Sequence, residues 1–424
     1  MSPPSSSSPS GPLSLSAQCE QILAAIQRYE RSGQQPPDRA QRLGLVQSLH
    51  RLALRLKDPR EAIFDHLTNI VETYNLRALL ELRVPESIPR EGSISAAELA
   101  ATVGADEALI VRLMRILTVT GIFEMVGPDE YAHTPFSLAY LDGHEVDFFK
   151  LMCDEIYVNT ARLPEYFREV GGRDTTSMTR NPFTWGNKNN QNNSSSSSSD
   201  GKTFYDIIAQ DARRLRQFDV AMSTQDAVLP VLGMYPFGDE LAPDPATDTD
   251  TETRPLIVDV GGGRGQSLVQ MRQRWPGLQK GRLILQDRRV VLESFPELPG
   301  IEKMAHDFFA PQPVKNAHAY YIRRCFHGWT DAHCVQILER IVPAMASDSR
   351  VLIAEMVVPE YGSERPGDVE DMTCYWMDHA MLALGGRERT EGDWRRLLRS
   401  AGLRLVKIWR SPASSQTVLE ARLG

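Results

Sequence analysis

The chain has 424 residues, 42% of them hydrophobic and 24% charged, which is an ordinary mixture for a soluble globular protein of two or three domains. Its formal net charge of −8 argues against a general nucleic-acid binder, because phosphate contacts need clustered Lys and Arg. The five cysteines form no C-x-x-C pair, and we find neither a signal peptide nor an apolar run of the roughly 20 residues that span a bilayer. We therefore expect a cytoplasmic protein.

Three polar segments divide the chain. Residues 1–18 are rich in Ser and Pro, residues 189–200 are an Asn/Ser tract, and residues 239–253 carry six acids and no base. Because such segments bury too little apolar surface to offset the entropy of ordering, we predict a disordered tail, a polar insertion and an acidic linker. The domains that remain are a helical one over 19–238 and a second one over 254–424.

The N-terminal domain has the pattern of helices followed by a hairpin. Ser95 and Glu98 form a capping box for a helix that Gly104 can end, and Asp106 can cap the next helix. Short apolar runs on both sides of the Gly127-Pro128-Asp129 turn indicate a β-hairpin. Helix, helix and hairpin in this order predict a winged helix.

The C-terminal domain alternates short apolar runs with amphipathic helices. This alternation predicts βαβ units and a parallel sheet, so the fold class is α/β. The predicted strands cover residues 256–260, 283–286, 319–322, 351–355, 404–409 and 417–422.

A glycine-rich loop follows the first of these strands. After Asp259, the glycines Gly261, Gly263 and Gly265 allow a tight turn and let a ligand approach the backbone. Gln266 stands where a dinucleotide fingerprint would need its third glycine. The spacing instead suits a nucleoside without a pyrophosphate, whose amino-acid tail lies over the glycines.

Two acids follow the next strands in order. Asp287 ends the second strand, where a carboxylate can accept both ribose hydroxyls. A further short strand, the third in chain order, is expected just before residues 304–308, so that 319–322 is the fourth strand and 351–355 the fifth. Asp307, after this third strand, can accept the amino hydrogens of an adenine that Phe308 flanks. A structural turn with two capping acids is the alternative, but the ordered set at successive strand ends favours a nucleoside site.

A histidine and two carboxylates are the candidates for the chemistry. His327 follows the fourth strand, Glu355 ends the fifth, and Glu388 lies in a later loop. Ligands of open α/β sheets bind at the carboxyl ends of strands. A histidine there can take a proton near pH 7, and a carboxylate on its far nitrogen fixes the tautomer. The alternative for His327 is a histidine without a function.

These motifs resemble the class I S-adenosylmethionine-dependent O-methyltransferases of the plant caffeate and flavonoid type and their fungal counterparts acting on polyketides. The resemblance covers roughly residues 60–424. It implies a Rossmann-like methyltransferase sheet with a C-terminal antiparallel hairpin, preceded by a mostly helical winged-helix domain that forms a homodimer. It also implies S-adenosyl-L-methionine as cofactor, a small aromatic or polyketide substrate and His327 as base, with Glu355 and Glu388 beside it. The cofactor contacts matched to the family are Asp259, Gly261, Gly263, Gly265, Asp287, Asp307, Phe308 and Arg323.

Two positions depart from the family pattern, and the first is Arg323, which stands where the family has a lysine. The family base is usually followed by an aspartate that often helps to position the substrate hydroxyl, whereas Gly328 follows His327 here. This departure leaves a second function open, a pericyclic cyclisation or dehydration in which bound S-adenosylmethionine acts as a fixed charge without methyl transfer.

The remaining candidates concern the substrate and other partners. Trp376, Met377 and Met381 recur at helical spacing and suit the wall of an aromatic pocket, with plain core packing as the alternative. His133, in the predicted wing, is structural or donates a hydrogen bond to a substrate. We find no metal-ligand spacing and no basic stripe on the winged helix, so we expect no metal, nucleic-acid or membrane partner.

Overall fold

The computed structural model describes residues 14–31, 39–142, 145–173, 176–190, 201–224, 232, 234–241, 254–360, 372–411 and 415–424. The chain forms two compact units, one up to Thr73 and one from Tyr74 onward. Nearly all of the predicted insertion and linker lies outside the described residues, so the boundaries at 238 and 254 stay predictions.

The first unit is helical. It contains α1 (Leu15–Arg31), α2 (Arg39–Leu56) and the start of α3 (Ala62–Glu81). The predicted tail ends earlier than residue 18, because the Ser14 hydroxyl accepts a hydrogen bond from the Ala17 amide at 3.2 Å and α1 begins at once. All three helices leave large apolar side chains exposed in the single chain.

The second unit opens with the winged helix that the sequence predicts. Its elements are α4 (Val84–Ser87), β1 (Ile94–Ser95), α5 (Ala96–Val103), α6 (Glu107–Val119), β2 (Phe123–Gly127) and β3 (Glu130–His133). The capping box between Ser95 and Glu98 is present, and Gly104 ends α5 with a φ of 70°. Asp106 stands at the N-cap of α6, but its side chain makes no capping hydrogen bond, contrary to the prediction.

Short helices connect the wing to the sheet. They are α7 (Pro135–Asp142), α8 (Glu145–Leu151), a π-helical turn (Met152–Tyr157), α9 (Val158–Thr160), α10 (Leu163–Val170), α11 (Pro182–Asn190), α12 (Phe204–Ile208), α13 (Ala212–Thr224) and α14 (Phe237–Leu241). A two-point ion pair between Arg214 and the buried Glu155 ties α13 to the π-helical turn, with Nη2 2.6 Å from Oε2.

The sheet has the predicted topology. Its strands are β4 (Pro255–Val260), β5 (Arg282–Asp287), β6 (Glu302–Ala305), β7 (Ala319–Arg323), β8 (Arg350–Val358), β9 (Arg389–Thr390), β10 (Leu403–Arg410) and β11 (Gln416–Leu423). The spatial order is β10-β11-β8-β7-β4-β5-β6, with β9 beside β8. Strands β4 to β9 pair in parallel, whereas β11 pairs antiparallel with β8 and β10.

Helices cover the sheet on both faces. They are α15 (Gln266–Arg274), α16 (Arg289–Leu292), α17 (Asp331–Ile341), α18 (Thr373–Leu384) and α19 (Glu391–Ser400). Along β4, Ile257 and Val258 are fully buried and face different apolar clusters, one on each side of the sheet. The carboxyl ends of the parallel strands meet at one edge, where the predicted site residues lie. Among the described helices, none is long and apolar enough to cross a membrane.

Candidate active site

The glycine loop joins β4 to α15. Gly261, Gly263 and Gly265 have φ values of 72°, 60° and 80°, in the left-handed region that glycine adopts without strain. The amides of Gly261 and Gly262 donate to the Gln286 carbonyl at 2.8 and 3.1 Å, which ties the loop to the end of β5. The loop therefore presents bare backbone at the strand edge, as the sequence predicts.

Asp259 lies beneath this loop. A Cβ at Gly262 would come within 2.5 Å of its carboxyl group, and the Asp259 side chain is fully buried. Burial raises the pKa of Asp259 to about 7, and the charge of Arg323, at the end of β7, counteracts the shift. Neither carboxylate oxygen has a hydrogen-bond partner among the described residues. A buried carboxyl group without a hydrogen-bond partner fits a ligand that brings hydrogen-bond donors or positive charge to the loop.

Asp287 ends β5 and is bound to the same loop. Its carboxylate accepts hydrogen bonds from the amides of Gly263 at 2.9 Å and Arg288 at 2.7 Å. Burial nevertheless raises the pKa of Asp287, against the opposing effect of these bonds. The Phe308 ring follows β6 and lies 3.8 Å from the position of a Cβ at Gly261. The structure thus brings the loop, the acid and the ring to one edge.

Asp307 and Arg323 complete the predicted cofactor set. Asp307 is exposed after β6, and its carboxylate accepts a hydrogen bond from the Phe309 amide at 3.0 Å. Arg323 is partly buried. Asp307 follows β6, and Arg323 ends β7. The carboxyl ends of both strands lie at the edge of the sheet that holds the glycine loop.

His327 lies in a short turn after β7. Its Nδ1 is 2.7 Å from Oε1 of Glu388 and 3.9 Å from Oε2 of Glu355. Burial acts to lower the pKa of His327, but the two carboxylates outweigh it and the pKa is raised. With its Nδ1–H donated to Glu388, the neutral ring presents Nε2 as the basic nitrogen.

Glu355 binds the backbone of the turn that carries His327. Its Oε1 accepts hydrogen bonds from the backbone amides of Cys325 at 2.8 Å and Phe326 at 2.7 Å. The sequence placed this residue at the end of its strand, but β8 continues to Val358 because pairing with β11 and β9 extends it. Burial raises the pKa of Glu355, whereas the charge of His327 counteracts the shift.

Two glycines let the loop of Glu388 lie against this turn. The Arg387 amide donates to the His327 carbonyl at 2.9 Å. A Cβ at Gly386 would stand 2.2 Å from that carbonyl oxygen, and a Cβ at Gly385 would stand 2.1 Å from the Ser177 carbonyl oxygen. Both positions therefore require glycine for a close backbone approach.

Arg389 is a site residue that the sequence analysis missed. Its side chain is buried, and its guanidinium donates to the carbonyls of Phe326 at 2.9 Å and Trp329 at 2.8 Å, on either side of His327. A third bond, 2.8 Å long, reaches the Asp331 carboxylate. Arginine is usually exposed, so only its place one residue after Glu388 could have drawn attention to it.

The predicted substrate residues have different surroundings. Met377 and Met381 are buried on α18 in an apolar cluster that Tyr205 also contacts. Trp376 is partly buried beside Phe148, with ring centroids 5.8 Å apart. Cluster membership is compatible with both a pocket wall and core packing.

His133 is engaged within the wing. Its Nδ1 lies 2.9 Å from the Ser137 hydroxyl, and its Nε2 lies 3.1 Å from the Pro85 carbonyl oxygen. Both ring nitrogens thus have protein partners, which supports the structural alternative over a hydrogen bond to a substrate.

The side chains of His327, Glu355 and Glu388 are also of the types that bind metal ions. One ligand atom each of His327, Glu355 and Glu388 lies within 4.8 Å of the others. However, the closest approach joins a ring nitrogen to a carboxylate oxygen at 2.7 Å, which is a hydrogen bond. That no metal is needed stays a prediction.

Two family models match the chain, an O-methyltransferase dimerisation domain over residues 64–143 and an O-methyltransferase domain over residues 242–404. The O-methyltransferase opaF of Aspergillus ustus is 34% identical over 384 residues, which are 89% of this chain and 86% of that protein. The O-methyltransferase desB of Aspergillus desertorum is 35% identical over 394 residues, 91% and 89% of the two chains. The crystal structure of OxaC in complex with SAH and oxaline is 30% identical and superposes with a TM-score of 0.81, covering 97% of this chain and 99% of that one.

Proposed function

Because this chain belongs to the family of S-adenosylmethionine-dependent O-methyltransferases, we propose that His327 is the base that deprotonates its substrate hydroxyl. The substrate we infer is a phenol or enol of a small aromatic or polyketide metabolite. The observation that supports this role most directly is the 2.7 Å contact between Nδ1 of His327 and Glu388.

The chemistry follows from the arrangement around the imidazole. A phenol has a pKa of about 10 and is a poor nucleophile until its proton leaves. In this account Nε2 of His327 accepts that proton, and the carboxylates of Glu388 and Glu355 stabilise the imidazolium that forms. When bound, S-adenosylmethionine would supply an electrophilic methyl group to the deprotonated oxygen and would be left as S-adenosylhomocysteine. The proton stays on His327 until water removes it.

The cofactor is held, in this proposal, by the residues around the glycine loop. The bare backbone at Gly261 to Gly265 and the buried, unpartnered Asp259 suit the amino-acid part. Asp287 accepts the ribose hydroxyls, Asp307 and Phe308 receive the adenine, and Arg323 lies beside them.

The substrate lies, in this proposal, against the α18 residues Trp376, Met377 and Met381, since polarisable and flat side chains suit an aromatic ring. We also propose a homodimer. The matched dimerisation domain and the exposed apolar side chains of α1, α2 and α3 support it. A cytoplasmic location stays a prediction.

A cyclisation or dehydration without methyl transfer is the less favoured function. The relatives that match most of this chain at 34% and 35% identity are O-methyltransferases. The reactions differ in the mass of the product, because methylation adds one CH₂ unit, a pericyclic cyclisation adds nothing and a dehydration removes one H₂O.

The experiment incubates pure protein with methyl-labelled S-adenosylmethionine and a panel of phenols and enolic polyketides. We expect a labelled product, heavier than the acceptor by one CH₂, for at least one member of the panel. Tight cofactor binding together with products that carry no label would contradict the methyl-transfer role.

A further inference from the structure

A tyrosine hydroxyl lies beside the residue that follows the base. The hydroxyl of Tyr205 lies 3.0 Å from the point where a Cβ at Gly328 would stand, directly after His327 in the chain. Apart from the adjacent residues and the backbone of the same turn, it is the one described atom within 4 Å of that point. The space that a side chain at residue 328 would enter is therefore bordered by a phenol from a distant segment.

Aromatic packing fixes the ring of Tyr205. The ring stacks on Trp329, with centroids 6.0 Å apart and planes inclined by 23°. It also meets Phe204 and Phe218 edge-on, at centroid distances of 5.4 and 6.1 Å. Because rings lie on several sides, the hydroxyl is held in one position beside Gly328.

The hydroxyl remains a hydrogen-bond donor near neutral pH. Burial raises the pKa of the Tyr205 phenol. The nearby Cys325 and Glu355 raise this pKa further, and the charge of Arg288 counteracts the shift. A neutral phenol can donate one hydrogen bond. Within the described residues we find no protein partner for this hydroxyl, so its donor is available to a ligand.

We propose that the Tyr205 hydroxyl donates a hydrogen bond to the acceptor oxygen of the substrate and so positions that oxygen beside His327. The inference rests on the proposed function of His327 as a base for hydroxyl groups. Tyr205 packs against the apolar cluster that contains Met377 and Met381, so a substrate ring on those methionines would lie near the Tyr205 side chain. A neutral donor also stabilises the anionic oxygen left by deprotonation, which favours acceptors that ionise, such as phenols and enols.

The variant Tyr205→Phe tests this proposal, because it keeps the ring and removes the hydroxyl. We expect kcat/KM for the best acceptor of the panel to fall about tenfold or more, the usual effect of losing one hydrogen bond to a reacting oxygen. The affinity for S-adenosylhomocysteine and the thermal midpoint stay unchanged. The matched control is Tyr320→Phe, whose buried hydroxyl donates to the carbonyls of Val314 at 2.9 Å and Ala344 at 2.8 Å, both outside the strands. This control loses stability and keeps kcat/KM.

A double-mutant cycle tests whether positions 205 and 328 affect the reaction through each other. The methyl group of Gly328→Ala would press on the Tyr205 hydroxyl, so this variant also lowers kcat/KM. If Gly328→Ala lowers kcat/KM by displacing the Tyr205 hydroxyl, then the fall in kcat/KM is much smaller when Gly328→Ala is made in the Tyr205→Phe background. Fully additive losses would contradict the proposal.

Binding of 4-nitrophenol to the protein saturated with S-adenosylhomocysteine gives a test without turnover. We expect Tyr205→Phe to bind this phenol about tenfold more weakly than the unmodified protein. Equal binding, or no binding by either protein, overturns the role of Tyr205. Failure of the unmodified protein to methylate any acceptor counts separately against the proposed function.

Discussion

The backbone of Gly386 lies so close to His327 that a Cβ at residue 386 would stand 2.2 Å from the His327 carbonyl oxygen. This contact places Glu388, two residues later, within 2.7 Å of the His327 ring. The geometry of the base therefore depends on a glycine that touches no reacting group.

Gly386→Ala is accordingly expected to displace the loop and lengthen the bond between Glu388 and His327. We predict a fall in kcat of about 10²-fold, since small misplacements of catalytic groups have such effects. Gly127→Ala is the control, because the atoms nearest to its Cβ belong to the Glu130 side chain in the hairpin. Steady-state kinetics of both variants check the prediction, and equal kcat values would contradict it.

The pH dependence of the rate should report the carboxylates around His327. Below its pKa the imidazole is protonated and cannot act as a base, so the rate falls as the pH falls through that raised pKa. Glu388→Gln removes one of the charges that raise the pKa. We therefore expect the acidic limb of kcat to move to lower pH, together with a lower plateau. An acidic limb of kcat at the same pH in both proteins would show that Glu388 does not raise the pKa of His327.

Arg389 should stabilise the turn that carries the base. Arg389→Lys keeps the charge but cannot reach the carbonyls of Phe326 and Trp329 together. We predict a loss of about 1–3 kcal/mol in the free energy of unfolding and a lower kcat. Arg396→Lys, at a side chain that is 70% exposed, is the control and should change the free energy by less than about 0.5 kcal/mol. Urea unfolding measures both.

Asp287 should matter for cofactor affinity rather than for the base. Asp287→Ala removes the carboxylate that accepts from the Gly263 amide and, in our proposal, from the ribose. We expect the Kd for S-adenosylhomocysteine to rise about 10- to 100-fold, as for the loss of charged hydrogen bonds. Calorimetry measures it, with Glu302→Gln on the neighbouring strand as control. An unchanged Kd would remove Asp287 from the cofactor site.

Much of the fold could be predicted because its signals are local. Six predicted strands begin within one residue of the observed ones, since each strand is a short run rich in apolar residues with clear flanking signals. Four of the six are buried parallel strands between amphipathic helices, and the last two form the antiparallel hairpin. The glycine loop and Asp287 lie at the predicted strand ends for the same reason. The length of β8 was underestimated, because its last residues pair with distant β11 and β9.

The residues that position the base could not be predicted, because their roles arise from contacts between distant segments. Arg389 has the pattern of an exposed charge, and only the fold turns it toward the carbonyls around His327. Tyr205 comes near Gly328 only through the aromatic packing on α12 and Trp329. For His133 the sequence left a structural role and a hydrogen bond to a substrate open, and its two protein partners favour the structural role.

The most direct test of His327 as the base compares the unmodified enzyme with His327→Ala on phenols of graded acidity. We predict that the variant binds S-adenosylhomocysteine normally and transfers methyl groups to an ordinary phenol about 10²- to 10⁴-fold more slowly. The deficit should shrink for a nitrophenol that is already ionised at the assay pH. An unchanged rate with the ordinary phenol, or the same deficit for every acceptor, would contradict the assignment.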